Sequence, residues 1–126
     1  MIKKNKLSFT LLNEIDASIS CTFVSEDWIG YNIYYIMNKS NEYSISLAIW
    51  NIESEQATIY CIETIHYFIG KCYGTKLIKE IENDCIKNNV KFLKVRSLKQ
   101  SVKFYEKLGF KKKQDLEFCV DMVKEL

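Results

Sequence analysis

A chain of 126 residues with a formal net charge of +2 has the length of one domain, and that charge is too small to argue for a nucleic-acid partner. Apolar residues make up 48% and charged residues 27%, ordinary for a soluble globular domain, and no stretch approaches the roughly 18 uninterrupted apolar residues of a membrane span. The five cysteines, at 21, 61, 72, 85 and 119, are odd in number and include no Cys-x-x-Cys pair, which argues against a disulfide framework or a zinc site and for reduced thiols in a cytoplasmic protein.

In chain order, Met1 to Lys6 is basic and no long apolar run follows it, so no signal peptide is expected. Residues 7–12 read as a first short strand. Residues 19–24 read as a second, with Ile19, Cys21 and Phe23 alternating against Ser20 and Thr22. Residues 29–37, crowded with Tyr and Ile, read as a strand, although Ser25-Glu26-Asp27 would also suit the start of a helix. A polar turn at residues 38–41 leads to a strand over 43–50, with Tyr43, Ile45, Leu47 and Ile49 on one face. A turn over 51–55 leads to an apolar, β-branched strand over 56–65.

The turn Gly70-Lys71-Cys72-Tyr73-Gly74-Thr75 comes next, and then a helical pattern in which Leu77, Ile78, Ile81, Cys85 and Ile86 are apolar between Lys76, Lys79, Glu80, Glu82 and Asp84. Asn88-Asn89 suits the helix end, and residues 92–95 read as a short strand. A second helix is expected over 97–108, with Val102, Tyr105 and Leu108 on one side and Gly109 where a glycine follows a helix. A last strand is expected over 116–123, alternating through Leu116, Phe118, Val120 and Met122. The order predicts a single α/β domain over residues 1–126: a mixed sheet of α+β type, with an N-terminal antiparallel meander followed by β-α-β-α-β. The strand–helix–strand unit over 56–95 should place its two strands in parallel.

The chain has four glycines and no proline, and two of the glycines fall in the six residues of the central turn. That concentration calls for a positive φ or a close backbone approach there, and without proline every N–H remains a donor. A strand, a glycine turn and a helix in succession expose unpaired N–H groups at a helix start, which suits a phosphate.

Two segments together resemble the GNAT superfamily of N-acetyltransferases. The stretch Ile62 to Ile78 is similar to the family's acyl-CoA loop, written Arg/Gln-x-x-Gly-x-Gly/Ala after a strand, and Ser101 to Phe110 is similar to its Phe-Tyr-x-x-x-Gly-Phe segment. One helix and one strand separate them, as in the family. The resemblance covers residues 56–126 well and residues 1–55 only as a pattern of strands. It implies a GNAT-like acyl-CoA N-acyltransferase fold and direct transfer of an acetyl group from acetyl-CoA to an amine, carried by a small molecule or a peptide. Cysteine spacing, net charge and the lack of a long apolar run point to no metal, no nucleic acid and no membrane, and the tyrosine-rich strands leave room for a homodimer.

By that resemblance, the backbone of Thr64 and Ile65 would pair with the pantetheine arm, and Ile69, Gly70, Lys71, Cys72, Tyr73, Gly74 and Thr75 would hold the pyrophosphate. Three positions depart from the family pattern: Ile69 stands where Arg or Gln is preferred, Cys72 where a glycine is, and Leu98 where an asparagine is common. Ser97 and Gln100 are the candidates for the missing polar contact. Tyr105 matches the family's proton donor to the departing thiolate; its bland alternative is an aromatic on the buried face of the second helix. Glu63, interrupting an apolar strand, is the candidate base, and its alternative is a solvated strand position. His66 reads as a surface residue and Cys72 as an incidental thiol, since no Cys–His arrangement is visible. Lys111-Lys112-Lys113 reads as a solvated turn, or as a contact for the 3′-phosphate of CoA or for an acidic acceptor. Tyr31, Tyr34, Tyr35 and Tyr43, with Trp28 and Trp50, either line an acceptor pocket or pack sheet faces.

Two rival readings follow. The departures at Ile69, Cys72 and Leu98 would suit a non-catalytic module that binds CoA weakly or binds a protein partner. A sheet without a splayed gap between the strands ending near Ile65 and starting near Phe92 would mean an unrelated α+β domain.

Overall fold

The structure is a computed structural model that describes residues 2–11 and 26–126. The strand expected over 19–24 therefore lies outside the described residues. Among the described residues seven strands hydrogen-bond in the order β1-β2-β3-β4-β5-β7-β6. The chain divides into two compact units, Met1–Trp50 with Cys61–Lys79 and Asn51–Tyr60 with Glu80–Leu126.

In the first unit the chain opens with β1 (Ile2–Lys6), earlier than the strand expected over 7–12, and residues 9–11 are already helical. The hydrophobic pattern does not reveal β1 because four of its five residues are Lys or Asn and stand exposed on an edge strand. Leu7 is buried, as an apolar strand residue would be, but it lies just past β1. Its N–H donates to the Tyr31 carbonyl and its own carbonyl accepts from Gly30. A 3-10 turn at Glu26–Trp28 precedes β2 (Asn32–Met37), so the acidic pair starts a helical turn and the strand is shorter than the 29–37 expected. Strand β1 pairs antiparallel with β2, and β2 with β3 (Ser44–Glu53). Ser44 through Trp50 are all buried, so β3 is covered on both faces rather than alternating in and out. Leu47 and Ile49 join Leu7, Ile33, Tyr35 and Cys61 in one cluster, while Trp50 meets Tyr34 edge to face at 5.2 Å.

In the second unit the first residues of β4 (Gln56–Thr64) pair in parallel with β5 (Phe92–Leu98), as the crossover rule requires. That ladder runs from Gln56↔Phe92 to Ile59↔Val95 and stops, although both strands continue. Strand β5 pairs antiparallel with β7 (Cys119–Glu125) along its whole length. Strand β6 (Lys111–Asp115) pairs with the outer side of β7. The three lysines therefore belong to an edge strand rather than a turn, and the last strand starts at Cys119 rather than at 116. Leu116 and Phe118 alternate correctly on paper, but they form the connecting turn, closed by the Leu116 N–H to the Cys119 carbonyl, and Phe118 is 79% exposed.

Helix α1 (Tyr73–Lys87) buries Leu77, Ile78, Ile81 and Cys85 completely, while Ile86 is 56% exposed on another side. Helix α2 (Val102–Lys107) begins later than the expected 97, because Ser97 and Leu98 still extend β5 and Lys99–Ser101 form a 3-10 turn. Both helices end alike. Asn89 (φ 60°) and Gly109 (φ 95°) adopt the left-handed conformation. The Asn89 and Val90 amides then bond back to Ile86 and Cys85, and the Gly109 and Phe110 amides to Glu106 and Tyr105. This is the double closure that satisfies last-turn carbonyls.

Candidate active site

The end of β4 is held by β3. The Ile65 N–H donates to the Ile45 carbonyl at 2.9 Å, and Ser46 Oγ donates to the Glu63 carbonyl at 3.1 Å. Ser46 Oγ also lies 2.9 Å from Thr64 Oγ1. Strand backbone groups alternate in direction, so Ile62 and Thr64 point their N–H and C=O away from β3. There the β5 ladder has already ended. Ile65 itself is engaged at both groups, since its carbonyl accepts the Phe68 N–H at 2.8 Å. Of the two residues expected to pair with the pantetheine arm, Thr64 turns its backbone groups away from β3, while both backbone groups of Ile65 are engaged within the chain. Ser46 carries no functional signal in the sequence; the trace it leaves is a hydroxyl inside an otherwise apolar run.

A 3-10 turn at His66–Phe68 then leads through Ile69 and Gly70 to the helix. Gly70 has φ 88°, and no atom lies within 4 Å of where a Cβ would stand, so its glycine is required by conformation and not by space. Cys72 has φ 65°, a left-handed conformation unusual for a residue with a side chain. The cysteine thus keeps the backbone a glycine would adopt. The Cys72 carbonyl accepts the Lys76 N–H at 3.0 Å, the first bond of α1. By helix geometry the amides of Tyr73, Gly74 and Thr75 have no acceptor within the helix, and they carry its positive dipole end.

Around this loop stands a set of rings and cations. Lys71 Nζ lies 5.4 Å from the Tyr67 ring centre and 5.7 Å from that of Phe68. Phe68 packs edge to face with Tyr67 and Tyr73, and Lys76 Nζ lies over Tyr73 at 5.5 Å. Ile69 is 62% exposed and His66 is exposed at the loop's start. An open cleft of about 360 Å³ is lined by Tyr43, Ile65, Tyr67 and Phe68. Tyr67 and Phe68 are not among the residues expected at the site; an aromatic pair directly before the glycine turn is the signal that could have found them. Of the candidate pocket tyrosines, Tyr43 lines this cleft. Tyr34 and Tyr35 are buried, and Tyr31 and Trp28 pack on the core cluster. Trp50 is buried as well.

The remaining candidates lie elsewhere in the chain. Glu63 is half-buried near the end of β4. Tyr105 is 4% exposed, with its ring edge to face against Phe104 and Phe110 at 5.0 and 5.6 Å. Ser97 is buried and donates its hydroxyl to the Leu98 carbonyl at 2.7 Å, while Gln100 is exposed in the 3-10 turn. Cys72 is an exposed free thiol. Cys85 is buried, and that burial, with Asp84 and Glu82 nearby, pushes its thiol up to about 12, so it stays protonated. Among the described residues no group of His, Cys, Asp and Glu is placed to hold a metal ion, and no helix is long and apolar enough to cross a membrane.

The family described as "Acetyltransferase (GNAT) domain" matches residues 34–125. No curated protein matches the chain. Among solved structures, it is similar to a putative N-acetyltransferase from Lactobacillus plantarum, with a TM-score of 0.72 and 16% identity over 99% of this chain and 98% of that one. It is similar to the PaiA N-acetyltransferase of Thermoplasma acidophilum in complex with coenzyme A, with a TM-score of 0.70 and 18% identity over 100% and 99% of the two chains. It is also similar to the ribosomal-protein-S18-alanine N-acetyltransferase of Escherichia coli, with a TM-score of 0.71 and 15% identity over 99% and 94%. Likeness at such identities speaks for the fold. The family match, which spans most of the chain, does more: the chain belongs to the GNAT family of acetyltransferases.

Proposed function

We propose that this protein transfers the acetyl group of acetyl-CoA directly to the amine of a small-molecule or peptide acceptor. The observation that carries the reading is the loop at the start of α1. Gly70 and Cys72 both stand at positive φ, and the chain then turns straight into a 15-residue helix with unclaimed first-turn amides. Amides so arranged donate to a diphosphate without side-chain help, which is why Ile69 in place of a cation leaves the site workable. Lys71, steadied over two rings, adds charge beside it. The free N–H and C=O of Thr64, with those of Ile62, would pair with the amides of the pantetheine arm as an added strand.

Acetyl transfer needs a neutral amine to attack the thioester carbon, a base for the amine proton and a proton for the departing thiolate. Glu63, next to Thr64 on β4, is the base in this reading. Tyr105 is the acid, its ring fixed by Phe104 and Phe110. Ser97 and Gln100 would make the polar contact that Leu98 does not. The neighbour from Thermoplasma acidophilum, in complex with coenzyme A, supports CoA as the carrier.

The test is thermal unfolding with acetyl-CoA and with CoA, since a ligand that binds only the native state raises its stability. A clear upward shift is the expected result. No shift at millimolar ligand overturns the reading in favour of a non-catalytic module. With an amine that the wild type acetylates, Tyr105→Phe should lower turnover about 100-fold while the melting temperature falls by a few degrees at most. Unchanged turnover would remove Tyr105 from the chemistry.

A further inference from the structure

We propose that Ser46 is a positioning residue for the donor: by holding the Glu63 carbonyl it sets the direction and strength of the Thr64 N–H offered to the pantetheine arm. The inference rests on the acetyl-CoA reading given above. Ser46 is fully buried on β3, between Ile45 and Leu47, and its hydroxyl donates to the Glu63 carbonyl at 3.1 Å. A buried hydroxyl needs such a partner. The Glu63 C=O and the Thr64 N–H belong to one planar trans peptide unit, so they point in opposite directions. A bond that draws this carbonyl toward β3 therefore aims the Thr64 amide away from β3. Polarising one end of a peptide unit also strengthens the other end as a hydrogen-bond donor.

Proton counting sets the direction of the network. A hydroxyl carries one proton, and a carbonyl can only accept. With the Ser46 proton given to Glu63, the 2.9 Å contact between Ser46 Oγ and Thr64 Oγ1 takes its proton from Thr64. Thr64 is thus tied to Ser46 twice, directly by its side chain and through the peptide unit that carries its amide. The following peptide unit is aimed in the same way. The Ile65 N–H donates to the Ile45 carbonyl at 2.9 Å, which turns the Thr64 carbonyl away from β3. Of these two anchors, Ile45 acts through its backbone, and only Ser46 depends on the identity of a side chain. Ser44 supplies an internal comparison. It is also a buried hydroxyl of β3, but its bonds go to the carbonyls of Ile36 on β2 and Ser46 on its own strand, at 3.5 and 3.2 Å.

Calorimetric titration of the full chain with acetyl-CoA and with 3′-phospho-ADP, the half of CoA without the pantetheine arm, tests the proposal. Ser46→Ala should weaken acetyl-CoA about threefold to tenfold, the value of one well-aligned hydrogen bond, and leave 3′-phospho-ADP as it is. Ser44→Ala, which removes a buried hydroxyl from the same strand, should bind acetyl-CoA as the wild type does. Unchanged acetyl-CoA binding in Ser46→Ala overturns the proposal. So does an equal loss for both ligands, or an equal loss in Ser44→Ala, since either would make the effect a general loosening of the sheet. If Ser46→Ala fails to fold, Ser46→Cys takes its place, with a group of similar size but a weak donor, and is read against the same outcomes. Acetyl-CoA binding by the wild type that Ser46→Ala does not alter sinks the role of Ser46 alone. No acetyl-CoA binding by the wild type sinks the acetyl-CoA reading and this inference together.

Discussion

Cys72 is the residue at which sequence and backbone pull apart. A left-handed φ at a residue with a Cβ costs about 1 kcal/mol or somewhat more, and glycine takes the same conformation freely at the expense of extra unfolded-chain entropy. The loop therefore carries strain at the point where it turns into α1. Cys72→Gly should raise the melting temperature by a few degrees and tighten CoA, because the same backbone is reached without strain and without a side chain beside the diphosphate. A lower melting temperature together with weaker CoA binding would show that the thiol contributes contacts of its own. Ile69 is the gentler departure: it is exposed, and it removes only a side-chain donor.

At the scale of elements, the helix ends are the most legible feature in the sequence and the edge strands the least. Asn88-Asn89 and Gly109 mark both helix ends correctly, because the left-handed residue after a helix is a local requirement that few side chains meet. Gly109 is also held by its surroundings. A Cβ there would stand 3.1 Å from Cε of Lys124, whose ammonium bonds Glu82 at 3.0 Å and the Leu108 carbonyl at 2.7 Å. Gly109→Ala should cost about 1–2 kcal/mol, from backbone conformation plus displacement of that lysine, measurable by urea unfolding. A cost near zero would mean that the lysine and the turn both relax freely. Strands β1 and β6 escape the hydrophobic pattern because an edge strand facing solvent has no need of one.

For the whole molecule, those two strands are the ends of the seven-stranded sheet. Lys3, Lys4 and Lys6 stand on one, Lys111, Lys112 and Lys113 on the other. Their charges oppose edge-to-edge pairing between copies, a role that a net charge of only +2 could not fill by itself. The triple substitution K111T/K112V/K113T should keep the far-UV circular dichroism of the wild type and raise light scattering at concentrations where the wild type stays clear. Unchanged scattering would assign the lysines another purpose.

The sequence by itself determined the mixed α/β class, the parallel crossover, the two helices with their ends, and the loop and aromatic segment that carry the family resemblance. Each is written in local periodicity or in residues with special backbone needs. Only the tertiary structure decided that Ile65 is engaged by β3 and its own turn, whereas Thr64 and Ile62 turn their backbone groups away from β3. It also decided which of many tyrosines are core and which two line a cleft, and that polar runs at 2–6 and 111–115 are strands. Those facts depend on which partner a backbone group or ring finds across the chain, and a side-chain pattern along one segment does not encode a distant partner.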